Sequence, residues 1–83
     1  MTKEQLIALI RKNLIEIIPE LEGEEFSNDE SLVDLGANSL DRAELIMLTM
    51  EQLELNVPRS EFVGYLSMNG LAGRFLEKLS AHA

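Results

Sequence analysis

The sequence predicts an all-α domain, a small four-helix bundle with a short third helix. Three observations carry that reading. Apolar residues recur at spacings of three and four along two long stretches free of Gly and Pro, residues 2–18 and 39–53. No stretch shows the period-two alternation of a half-buried strand. The interruptions fall at Pro19, at the turn-rich segment before residue 39 and at Pro58. The 83 residues are read as one domain, 1–83, with a modest core.

The first helix is expected over residues 3–18. Thr2 with Gln5 three residues later matches a capping box. Leu6, Ile10, Leu14, Ile17 and Leu21 form an apolar stripe that Ile7 and Ile18 widen. Pro19 ends it, because the residue before a proline is pushed out of the helical region. Residues 19–38 then form an acidic connection. Twenty structureless residues are unusual in a small domain, so local turns are expected, with Leu21, Phe26, Leu32, Val33 and Leu35 as apolar anchors.

The second helix is expected over residues 39–53. At about 100° per residue, Leu45, Ile46, Thr49 and Leu53 fall at roughly 240° to 340° from Ser39, and Leu40, Ala43, Met47 and Met50 at roughly 20° to 100°. The combined arc of about 220° is wider than one core face needs. The first group is the better core candidate. The second, flanked by Glu44 and Glu51, reads either as a docking face or as further core.

Residues 54–58, ELNVP, break the helix. A short third helix is expected over residues 59–66, packing through Phe62, Val63, Tyr65 and Leu66 and weakened by Gly64. Ser67, Met68 and Asn69 read as a connector with Asn69 as cap. The last helix is expected over residues 70–80, with Leu71, Ala72, Phe75, Leu76 and Leu79 on its apolar side and Lys78 in its last turn, where the dipole favours a cation. The tail AHA is read as frayed.

Seven basic residues against fifteen acidic ones give a net charge of −8. That argues against nucleic acid as a partner and for partners with basic surfaces. Without cysteine the chain has no disulfide and no thiolate site. No signal-like leader and no membrane-length apolar run appear, so a cytoplasmic protein with no membrane partner is expected. No His or Cys cluster predicts a transition-metal site, and residues 28–34 do not fit a calcium loop.

Ser39, at the junction of loop and second helix, has three readings: a helix cap, a small surface residue, or a hydroxyl that another protein modifies. It is not a hydrolase nucleophile. GANSL lacks the G-x-S-x-G spacing, no strand precedes it, and the only histidine, His82, lies in the tail.

The run DLGANSLDRAELI, at the start of a second helix in an acidic domain of this size, resembles the acyl carrier proteins, and the resemblance covers essentially the whole chain. It implies that a phosphopantetheinyl transferase attaches 4′-phosphopantetheine from coenzyme A to Ser39, and that acyl thioesters ride on this arm. It implies a carrier rather than an enzyme. Leu40, Asp41, Ala43, Glu44, Met47, Met50, Glu51 and Arg59 are the partner contacts it implies. One departure is Asn38, where the family usually has Asp that can help hold the transferase's Mg²⁺. With the run DRAELIMLTMEQLELNVPRSEF, this departure is similar to the free-standing donor carriers of β-branching cassettes in bacterial polyketide pathways. Their implied partners are a hydroxymethylglutaryl-CoA synthase-like enzyme, an acyltransferase and a decarboxylating ketosynthase, and the implied state is a monomer. A carrier of fatty-acid, peptide or D-alanine systems, and a helical adaptor whose Ser39 is only a cap, are the alternatives. The capped start at Thr2 and the short tail are read as favouring a free-standing protein.

Overall fold

The computed structural model describes residues 1–81, so the expectations for His82 and the last residue lie outside the described residues. Three α-helices run over Lys3–Ile17 (α1), Ser39–Gln52 (α2) and Met68–Ala81 (α3), and two single turns of 3₁₀-helix cover Pro19–Leu21 and Arg59–Phe62. No strand occurs among the described residues. The expected third helix is only that second 3₁₀ turn, so among the described residues three α-helices, not four, build the fold.

α1 starts as its sequence requires. Thr2 Oγ1 accepts from the Gln5 N–H at 3.1 Å, and Gln5 Oε1 accepts from the Thr2 N–H at 2.9 Å. Leu6, Ile10, Leu14, Ile18 and Leu21 are buried, while Ile17 is only half-buried. Asn13, absent from the expected stripe, is fully buried where α1 meets α2. Its Nδ2 donates to Thr49 Oγ1 at 3.0 Å and Gln52 Oε1 at 2.9 Å, and the Thr49 hydroxyl donates to the Leu45 carbonyl at 2.8 Å. Two donated bonds offset much of the cost of putting an amide in a core, although its Oδ1 has no partner.

The long connection is pinned rather than regular. The Arg11 guanidinium lies 3.9 Å from the centre of the Phe26 ring and donates to the Phe26 carbonyl and to Asn28 Oδ1. The Leu32 N–H donates to the Leu66 carbonyl at 2.7 Å, and the Asn69 N–H to the Asn28 carbonyl at 3.0 Å. Leu21, Phe26 and Leu32 serve as the expected anchors. Val33 does not, being 52 % exposed on the outer side of its turn.

α2 buries Leu45, Ile46 and Thr49, while Leu53 caps its end and is half-buried. The helix closes on Glu54 with φ +53°. The Glu54 N–H donates back to the Glu51 carbonyl and the Leu55 N–H to that of Met50, so buried Leu55 seals the end. Beyond Pro58 only Phe62 of the four expected packing residues turns inward, stacking on Phe75 with ring centres 4.2 Å apart. Val63, Tyr65 and Leu66 face outward, because the chain leaves the 3₁₀ turn in extended conformation at Val63 and bends at Gly64, φ +95°. α3 begins before the expected connector ends. Ser67 Oγ accepts from the Gly70 N–H at 3.0 Å, so Ser67 is the cap, and Asn69 instead reaches Asp29 Oδ1 at 2.8 Å. Lys78 and Arg74 tie α3 to Glu61. The hydrogen bond from Lys78, with its charge, holds the Glu61 carboxyl below the ordinary range.

Candidate functional site

Ser39 is the first residue of α2 and is exposed, but it does not cap the helix. That role falls to Asn38, whose Oδ1 accepts from the Asp41 N–H at 2.9 Å while Asp41 Oδ2 accepts from the Asn38 N–H at 3.2 Å. Asn38 has the short side-chain acceptor a cap needs, and Asp41 puts a carboxylate in the first turn, which the dipole favours. The Ser39 hydroxyl is thereby spared. Among the described residues it makes no hydrogen bond, and the Ser39 and Leu40 N–H groups are not used by the cap.

Upstream, Gly36 with φ +96° turns the chain and buried Ala37 anchors it under α2, its N–H donating to the Leu32 carbonyl. One turn downstream, Arg42 Nη1 donates to the Ala37 carbonyl at 2.8 Å. Ser39, Arg42 and Arg59 share a groove of about 280 Å³. Leu32, Ile46, Phe62 and Leu71 give it an apolar lining, and the Val63–Leu66 segment lines it as well. Sequence reasoning missed Arg42 and that segment. Arg42 sits three residues after Ser39 on one helix face, which was the available signal.

The exposed side of α2 carries a second, shallow depression that gathers Leu40, Ala43, Glu44, Met47, Glu51 and Arg59, six of the eight expected partner contacts. Leu40 is 78 % and Met47 54 % exposed, and Arg59 Nη1 lies 3.5 Å from Met47 Sδ. Asp41 is held in the cap. Met50 is half-buried against the core and does not join the depression. Leu48, about 180° from Ser39 and outside both arcs, also lines it and was missed.

The Ser39 hydroxyl is thus displayed on a helix end, exposed and with no hydrogen-bonded base beside it among the described residues. The family described as phosphopantetheine attachment site matches residues 5–75. The polyketide biosynthesis acyl-carrier-protein AcpK of Bacillus subtilis (strain 168) is 37 % identical over 81 residues, 98 % of this chain and 99 % of that one. A chain in the crystal structure of the curacin biosynthetic pathway HMG synthase in complex with acetyl donor-ACP superposes with a TM-score of 0.86 at 45 % identity, covering 90 % of this chain and 96 % of that one. This chain therefore belongs to the phosphopantetheine attachment-site family of acyl carrier proteins.

Membership implies a covalently attached 4′-phosphopantetheine, and the surroundings of Ser39 fit one. Its hydroxyl is accessible, helix-terminal N–H groups favour an anion there, and an arginine stands one turn away. When attached, the arm supplies a terminal thiol that carries acyl groups as thioesters.

Proposed function

We propose that this chain is the donor carrier for an HMG synthase-like enzyme and that Ser39 bears its arm. The observation that carries the reading is the unbonded, exposed Ser39 hydroxyl at the first residue of a helix whose cap is supplied by Asn38. The 45 % identity to a carrier of the HMG synthase complex supports the choice of partner. In the attachment, Ser39 Oγ bonds to the pantetheine-bearing phosphorus of coenzyme A. Its proton passes to a base of the transferase, and adenosine 3′,5′-bisphosphate leaves. An acyltransferase supplying malonyl cargo and a ketosynthase releasing its carboxylate as carbon dioxide complete the partner set. Leu40, Ala43, Glu44, Met47, Glu51 and Arg59 form the contact face, with Asp41 at its edge and Met50 behind it. The reading takes residues 1–83 as one monomeric carrier domain working in the cytoplasm.

Intact mass after incubation with coenzyme A and a transferase tests the attachment point. Wild type gains one arm, and Ser39→Ala gains none while keeping its helical circular dichroism. Modification of the alanine variant overturns Ser39. Acetyl-loaded wild type then acylates the synthase's active-site cysteine; absence of that transfer with the arm in place overturns the partner.

A further inference from the structure

We propose that Arg42 is a positioning residue that grips the phosphodiester of the arm and so fixes the root about which the arm swings. The inference rests on Ser39 as the attachment point. Residues three apart on a helix have Cβ atoms about 5–6 Å apart, and Ser39 and Arg42 line the same groove. Side chains on a helix lean toward its N-terminus, and the bond from Arg42 Nη1 to the Ala37 carbonyl shows this one doing so. That bond anchors one corner of the guanidinium and leaves the other donors of its fork without partners among the described residues.

Its charge is also uncompensated. The ion pairs of the described residues join Arg74 and Lys78 to Glu61 and Glu77, and none reaches Arg42. Arg11 and Arg59 share that lack of a carboxylate partner, but of these three only Arg42 lies on the same helix as Ser39, one turn away. A phosphodiester on Ser39 Oγ brings a full negative charge within reach of that fork. Arginine and phosphate make short, charge-assisted and often bidentate hydrogen bonds, which a lysine matches only as a point charge. The half-burial of Arg42 against the groove strengthens the pair relative to one in open solvent.

Phosphorus-31 NMR of the arm-bearing protein reads this directly, with no dependence on acyl transfer. The reference is the same protein unfolded in urea, which keeps the covalent bond and removes the site. Folded wild type shows a phosphorus resonance displaced from that reference. Arg42→Gln moves it more than halfway back, Arg42→Lys falls between, and Lys12→Gln, which removes an equal charge from α1, leaves it in place. Raising salt from about 0.1 M to about 1 M, where the Debye length falls from ~10 Å to ~3 Å, moves wild type in the same direction. A resonance unchanged in Arg42→Gln overturns the proposal. Should that variant lose its fold, the Arg42 side-chain N–H signals of wild type before and after modification decide. They shift and sharpen on attachment if the grip forms, and unaltered signals overturn it. Peptide mass mapping of the same samples keeps the two readings apart. An arm on another serine overturns the attachment point as well, whereas an arm on Ser39 without an Arg42 response overturns the grip alone.

Discussion

Glu54 is the one non-glycine residue with positive φ among the described residues, at a position where helices commonly end on glycine. The left-handed region costs an L-residue roughly 1–2 kcal/mol, partly offset by the greater chain entropy that glycine loses on folding. Glu54→Gly is therefore expected to raise stability by up to about 1 kcal/mol, read as a higher Tm in thermal unfolding; a lower Tm shows that the side chain contributes more than the turn costs. Residues like this mark how far a sequence can be read. Thr2 and Gln5 announced their capping box because the whole device lies within four residues. At the next helix Asn38 and Ser39 stand side by side and both are good caps, so local preference did not separate them; the Asp41 carboxylate settles it by bonding back to Asn38. The burial of Asn13 was invisible from its neighbours, since its partners Thr49 and Gln52 lie a helix away.

At the scale of the element, α2 has one buried face and one exposed face, and neighbouring residues separate them. Ile46 is 7 % exposed and Met47 54 %. Ile46→Ala is expected to cost about 2–5 kcal/mol, as truncation of a buried aliphatic does. Met47→Ala should stay within about 0.5 kcal/mol of wild type, the range of ordinary surface substitutions. Denaturant unfolding of the two variants checks this, and equal losses show that the wide apolar arc is all core. That arc was legible because helical period is a local property. The segment 59–66 was misread for the opposite reason. Its apolar residues suit a helix, but the turn is closed by contacts from elsewhere: Arg74 Nε donates to the Glu61 carbonyl, and the Leu66 carbonyl accepts from Leu32. The groove beside Ser39, built from α2, this segment and the start of α3, was hidden with it.

For the whole molecule, charge governs encounter more than hold. With a net charge of −8 and Glu44 and Glu51 beside the exposed Leu40 and Met47, approach to a basic partner surface is steered by the field of the entire chain. The association rate with the synthase is expected to fall by roughly tenfold or more as salt rises from ~0.05 M to ~0.5 M, while dissociation, set by the apolar contacts, changes little. Stopped-flow binding across that range measures both. A flat association rate shows that the acids play no part in the encounter.

The pinning of the long connection also divides it into two lengths of chain with different freedom to change. From Asn28 onward, bonds from Asn69 to Asn28 and from Leu32 to Leu66 tie the connection to the far side of the fold, so an added residue there strains or breaks one of them. Before Phe26 the exposed run Glu22–Glu25 is held only by local turns, with Gly23 already at φ +83°. Doubling the length of a flexible loop costs only about 0.6 kcal/mol. This stretch is thus a place where a peptide tag, a fluorophore site or a whole guest domain can be spliced into the carrier, leaving the serine and its face where partners meet them.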